Sequence, residues 1–169
     1  MTRITASSYD LVDEIAWHLR DDDYRELRAT SCYADPRPTL AQRVMSVSSM
    51  TFCAIHQGAP VACWGLIPMW PGVGMAYAFG TDAWDRVLLP MTKHVKRFML
   101  PLLLDSGYHR IECRSLASRQ DTKRWLRLFG AREEAVMRSS GVRGEDFKLY
   151  RWLRDEHHGR PPIESMASH

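Results

Sequence analysis

No stretch of this chain is apolar for long enough to cross a bilayer. A membrane helix needs about 20 such residues, and charged or polar residues interrupt every run well before that. The N-terminus, "MTRITASSYDLVDEIAWHL", carries Asp10, Asp13 and Glu14 where a signal peptide needs an unbroken apolar stretch, so no export signal is expected. Cysteine is scarce: Cys32, Cys53, Cys63 and Cys113 form no CxxC pair and lack the close spacing of a zinc site. They predict reduced, mostly buried thiols in a cytoplasmic setting, and no metal site. The G-x-S-x-G elbow, the P-loop and the H-E-x-x-H pair are absent too. Asp21–Asp23 read as the acidic start of a helix, where carboxylates meet the positive end of the dipole, before they read as a cation site.

One absence is local. "AFGTDAWDRVLLPMTKHVKRFMLPLLLDSGYHRIECRSL", from Ala78 to Leu116, has the pattern of a strand, a turn, an apolar-striped helix and a second strand. In a nucleotide-using protein of that order, glycines in the turn let bare amides approach a pyrophosphate. Here the turn is Asp82-Ala83-Trp84-Asp85-Arg86, with two carboxylates and no glycine.

What is present suits one domain. The chain has 169 residues, 45% of them hydrophobic and 25% charged, which is ordinary globular composition. The net charge of +3 is unevenly spread. Met1–Thr30 holds four basic and seven acidic side chains, a balance of −3, and Arg110–Arg154 holds twelve and six, a balance of +6. Such polarity can steer acidic partners, but charge alone is an unspecific signal, and no nucleic-acid partner is expected.

"RITASS" predicts a first strand, with Ser7 or Ser8 capping a helix whose Leu11, Val12, Ile15 and Leu19 face a core. A second helical piece starts at Asp21–Asp23, and a third, "TLAQRVMSVSS", is expected with Thr39 as its cap. Two β-prone runs around Gln57-Gly58-Ala59 predict a hairpin, and "MAYAFGTD" a third antiparallel strand after the "WPGVG" turn. In the central helix Leu88, Met91, Val95, Phe98 and Leu102 step by three and four, and Pro101 predicts a kink or an early end. "HRIECRSL" is the next strand and "RQDTKRWLRLFG" the next helix, with Gly130 as C-cap. A long hairpin closes the domain at Arg154, and residues 155–169 are expected to be an extended tail. The fold class is α/β, a mixed, mostly antiparallel sheet with helices on both faces.

That order, together with "RIECRSLASRQDTKRWLRLFGAREE", resembles the GCN5-related N-acetyltransferase (GNAT) fold. The "PVACWG" strand, the Trp before a basic central helix, the "RWLRLFGA" helix and the closing hairpin are similar to small acetyltransferase-like accessory proteins of short-tailed bacteriophages, an internal virion or assembly family. The resemblance implies a pyrophosphate turn of the form Arg/Gln-x-x-Gly-x-Gly/Ala, where this chain has "TDAWDRVLLPMT". Asp82 and Asp85 would repel phosphate, Trp84 would crowd it, Pro90 has no amide to offer, and only Arg86 suits it. It also implies an Asn at the start of the fourth helix and a Tyr that protonates the departing thiolate; Arg119 and Leu126 stand at those positions. Leucine donates no proton. Tyr108 and Tyr150 lie elsewhere in the order, and His56 and His94 are weak candidates for a base.

The reading drawn from these residues has no catalytic residue and no cofactor: a non-enzymatic GNAT-fold protein that binds other phage structural or assembly proteins. Its place would be the host cytoplasm during assembly, or the virion, with a homo-oligomer left open. Trp70 and Trp84, which flank turns, and Ile163 and Met166 in the tail are its expected interface anchors. The alternative is an acetyltransferase with a divergent acetyl-CoA site, in which Arg86 and Lys93 replace the glycine nest.

Overall fold

The computed structural model describes residues 1–157, so Ile163 and Met166 lie outside the described residues. Seven strands form one sheet in the order β1-β2-β3-β4-β5-β7-β6. They are β1 (Thr2–Ala6), β2 (Met50–His56), β3 (Ala59–Trp70), β4 (Val73–Gly80), β5 (Arg110–Leu116), β6 (Arg132–Met137) and β7 (Phe147–Leu153). All neighbours are antiparallel except β4 and β5, which run parallel. The helices are α1 (Tyr9–Trp17), α2 (Asp21–Ala29), α3 (Arg37–Val47), α4 (Leu88–His94), α5 (Leu100–Asp105), α6 (Gln120–Leu128) and α7 (Arg154–His157). The last is a helical turn where extended chain is expected.

Alternate strand residues face two apolar layers. On one side Val12, Ile15, Leu40 and Val44 of α1 and α3 pack on Cys53, Cys63 and Phe79. On the other, Met91, Leu103, Leu104 and Leu126 of α4, α5 and α6 pack on Trp64, Leu66 and Ile111. Helices therefore cover both faces, as the alternating pattern requires. Cys53 and Cys63 are buried, Cys113 is half-buried, and Cys32 is exposed.

Local chemistry explains most boundaries. The Leu11 amide donates to Ser8 Oγ at 3.5 Å, capping α1. Gln57 and Gly58 both take positive φ (52° and 87°), the geometry of a two-residue turn that matches strand twist. After α6, Gly130 takes φ 81°. Its amide donates to Arg127 O at 3.0 Å and that of Ala131 to Leu126 O at 3.2 Å, a Schellman end. Helix α3 differs from expectation: it starts at Arg37, two residues before Thr39, because Pro36 and Pro38 preset helical backbone there.

The central helix holds a second difference. Pro101 has no amide to donate to Arg97, and the helix widens just before it into a π-helical turn, Val95–Met99, in which the Leu100 amide reaches Val95 O. The extra residue rotates the inward stripe. Met99, Leu100, Leu103 and Leu104 are buried, while Phe98 and Leu102, expected inside, are exposed.

His94 ends α4 against the rings of Phe52, Trp64 and Phe98, with centroids 4.6, 5.5 and 5.1 Å away. Its buried Nδ1 has no hydrogen-bond partner among the described residues. Burial pulls its pKa below the usual 6.5. The unfolded chain then binds more protons than the folded one just below that value, so stability is full above it and is lost as pH falls through the folded pKa. The melting temperature is expected to drop on acidification through that window, and His94→Leu should flatten this limb of the profile. An unchanged slope in the variant would place the responsible group elsewhere.

Candidate functional site: the cleft between β4 and β5

Strands β4 and β5 pair only where Val73–Ala76 meet Arg110–Cys113. Beyond Ala76 they diverge, β4 running on to Gly80 and β5 to Leu116. Edge amides past the split lose their ladder partners and must find others. Helix α2 supplies them. The Gly80 amide donates to Asp23 Oδ2 at 2.8 Å, and the Arg20 amide donates to Gly80 O at 3.0 Å. On the opposite strand the Leu116 amide and the Ser115 hydroxyl donate to Glu26 Oε2, at 2.9 and 2.7 Å.

Arg119, just before α6, joins the two carboxylates. Its Nη1 lies 2.8 Å from Asp23 Oδ1 and 3.5 Å from Glu26 Oε2, and its Nη2 is 3.4 Å from Asp121. Arg20 completes the cluster with Nε 2.7 Å from Asp23 Oδ2, its guanidinium 4.1 Å above the Trp84 ring. Burial raises the Glu26 pKa, with the Arg119 charge pulling it back. Burial acts against the charge of Arg119, yet Glu26, Asp23 and Asp121 outweigh it and raise its pKa.

The split opens into a cleft of about 420 Å³. Leu27, Leu40 and Val44 line it from the α2–α3 side, and Trp84, Trp125 and Leu126 from the α6 side. Cys113 lies in the wall, but burial pushes its pKa up to about 12, which keeps it a thiol. Tyr150 is fully buried, with its pKa raised to about 12 chiefly by burial. Leu126, which the GNAT resemblance sets at the position of an acid, is buried in the core layer. His56 is held by Thr2 Oγ1 at 2.8 Å at the far end of β2.

Four amides of the Asp82–Pro90 segment are bonded locally. The amides of Trp84, Arg86 and Val87 donate to Thr81 O, Ala83 O and Trp84 O at 2.9–3.0 Å, and that of Ala83 to Thr81 Oγ1 at 3.3 Å. Asp82 and Asp85 are exposed beside them. Arg86 and Lys93 are exposed as well, and neither lines the cleft. Trp84, expected as an interface anchor, is buried beneath Arg20 and edge-on to Trp125 at 5.5 Å, because the short 3₁₀ turn Trp84–Arg86 folds its ring inward. Trp70 is exposed, at the opposite end of β4 from Trp84, so the two form no common patch.

Sequence reasoning missed Asp23, Glu26 and Ser115. The acidic run at Asp21–Asp23 reads as a dipole effect, which holds for the exposed Asp21 and Asp22. The available signal was spacing: Asp23, Glu26 and Leu27 fall at i, i+3 and i+4, which puts two carboxylates on the inward face.

A single α/β domain whose mixed seven-stranded sheet splits between two parallel strands is a GNAT-like fold. No protein-family model matches the chain, and no curated protein matches it in sequence. Solved structures match it closely in shape. The ribosomal-protein-S18-alanine N-acetyltransferase of Escherichia coli superposes with a TM-score of 0.63 at 13% identity, covering 99% of this chain and 100% of that one. The ribosomal L7/L12 α-N-protein acetyltransferase in complex with coenzyme A gives 0.67 at 9% identity, covering 90% and 93%. A GNAT-family acetyltransferase of Streptococcus pneumoniae gives 0.64 at 12%, covering 90% and 99%.

Proposed function

We propose that this chain is a GNAT-fold binding protein that does not transfer acetyl groups. One observation carries the reading: the strand amides that bound the β4–β5 split, Gly80 and Leu116, are already bonded to Asp23 and Glu26, and Arg119 locks both carboxylates in place. The self-bonded turn before α4 and the leucine at the acid position point the same way. Its partners are then other proteins, of the kind that assemble a short-tailed phage particle. That finer assignment rests on the likeness of Pro60–Gly65, of the Trp before the basic central helix, of Arg124–Ala131 and of the closing hairpin.

A second reading keeps the enzyme. The neighbours in shape are acetyltransferases, and the buried Arg119 Nε, on a side chain lining the cleft, has no partner among the described residues, so it is a donor free for a ligand. Titration of acetyl-CoA by calorimetry and thermal shift separates the two. No heat and no change in melting temperature are expected. A ligand at a hundred times its Kd would stabilise the fold by about 2.7 kcal/mol, a shift too large to miss. If that appears, and Arg86→Ala and Lys93→Ala weaken it, the enzyme reading replaces this one.

A further inference from the structure

Most cations on this protein are paired. Among the described residues twelve of the 22 Lys and Arg side chains lie within 4.0 Å of a carboxylate, and ten do not. Six of those ten, Arg86, Lys93, Lys96, Arg97, Arg124 and Arg127, sit on or beside two helices, α4 with its π-helical extension and α6. Both helices cover the same face of the sheet, and Trp125 Nε1 ties them together by donating to Thr92 Oγ1 at 2.9 Å. From Arg86 to Leu104 the chain has no acidic residue at all.

Large apolar side chains stand among these cations. Leu89, Phe98, Leu102 and Leu128 are each at least 42% exposed. Phe98 and Leu102 face outward because the π-helical turn rotates them there, against the helical spacing of the sequence. A local rule broken at the cost of exposing a phenylalanine is characteristic of a surface with a task.

We infer that this two-helix face is a docking surface for an anionic lipid bilayer, with the six cations over the headgroups and the four apolar side chains inserted between them. Interleaved Lys/Arg and Leu/Phe is the composition of an interfacial helix. A nucleic-acid surface would have no use for three leucines, and a bound peptide would need a groove, whereas none of these six cations or four apolar side chains lines the β4–β5 cleft. Attachment is peripheral: among the described residues no helix is long and apolar enough to cross a membrane. The inference does not depend on whether the cleft binds acetyl-CoA.

The test is flotation of the full chain with phosphatidylcholine vesicles, with and without phosphatidylserine. Binding is expected only with phosphatidylserine, weakening with added salt. Lys93→Glu with Lys96→Glu should abolish it, and each cation neutralised singly should weaken it about fivefold. Arg143→Glu, an unpaired cation in the β6–β7 loop, should leave it unchanged. Phe98→Ser with Leu102→Ser exchanges two half-exposed side chains, Phe98 giving up its ring contacts with Phe52 and His94, so a melting curve of the variant should show the fold retained while vesicle binding falls. No binding to phosphatidylserine vesicles at low salt overturns the inference. So does binding that ignores Phe98→Ser with Leu102→Ser and is matched by duplex DNA, because the face is then only a polyanion surface.

Discussion

Arg119→Ala is expected to destabilise the fold by about 3–5 kcal/mol, the cost of leaving buried charge without its partner. The guanidinium is buried and, among the described residues, is the one cation that touches both Asp23 and Glu26. Without it Glu26 loses its cation and Asp23 keeps only Arg20, while the Gly80 and Leu116 amides and the Ser115 hydroxyl still tie these carboxylates to both strands. Urea unfolding of the variant measures the loss, with Asp121→Ala as a control. Asp121 is exposed and meets Arg119 only at 3.4 Å, so its removal should change stability by less than about 1 kcal/mol. The loss should also depend on pH. Burial raises the Glu26 pKa and Arg119 lowers it, so the variant's Glu26 titrates higher still. A raised folded pKa means stability present below the ordinary carboxylate pKa and lost as pH rises through the folded one. The difference between wild type and variant should therefore be larger at neutral pH than under mildly acid conditions. A loss below about 1 kcal/mol at every pH would mean that the carboxylates are solvated and that the split is not locked.

The fold was legible because each element carries its own local instruction. Ser8, the Gln57-Gly58 turn and Gly130 mark ends by chemistry that acts within four residues, and the alternation in β2 and β3 sorts Cys53 from Ala54 without any partner being known. The central helix was misread where a proline acts at a distance. Pro101 deprives the turn before it of a donor, and a count by threes and fours cannot include the residue that the π-helical turn adds. Trp84 was misread because a turn-flanking aromatic is exposed only if the turn points out. Here the ring folds under Arg20, a contact between residues 64 positions apart. The lock at Asp23, Glu26 and Arg119 is of the same kind: two residues of α2 meet one that precedes α6, and only the split in the sheet makes a site of them.

Phe129→Ala should cost about 3–5 kcal/mol, the range for a buried aromatic truncated in a packed core. The residue caps α6 and is buried among Trp125, Ala131 and Trp152. Its ring meets Trp125 edge-on at 4.8 Å, and Trp125 in turn meets Trp84 at 5.5 Å. Its carbonyl accepts from Trp152 Nε1 at 2.9 Å, so backbone and side chain fix the end of α6 against β7 together. Truncation leaves a cavity beneath Trp125 that the Schellman turn at Gly130 prevents the chain from closing, because the Ala131 and Gly130 amides are committed to Leu126 O and Arg127 O. The neighbour Leu128 is the internal control. It is one residue away on the same helix and points to solvent, so Leu128→Ala should stay within about 0.5 kcal/mol of wild type. Denaturant unfolding of both variants decides the register of α6, since equal losses would require the helix to be rotated. The same rotation would carry Leu126 out of the core.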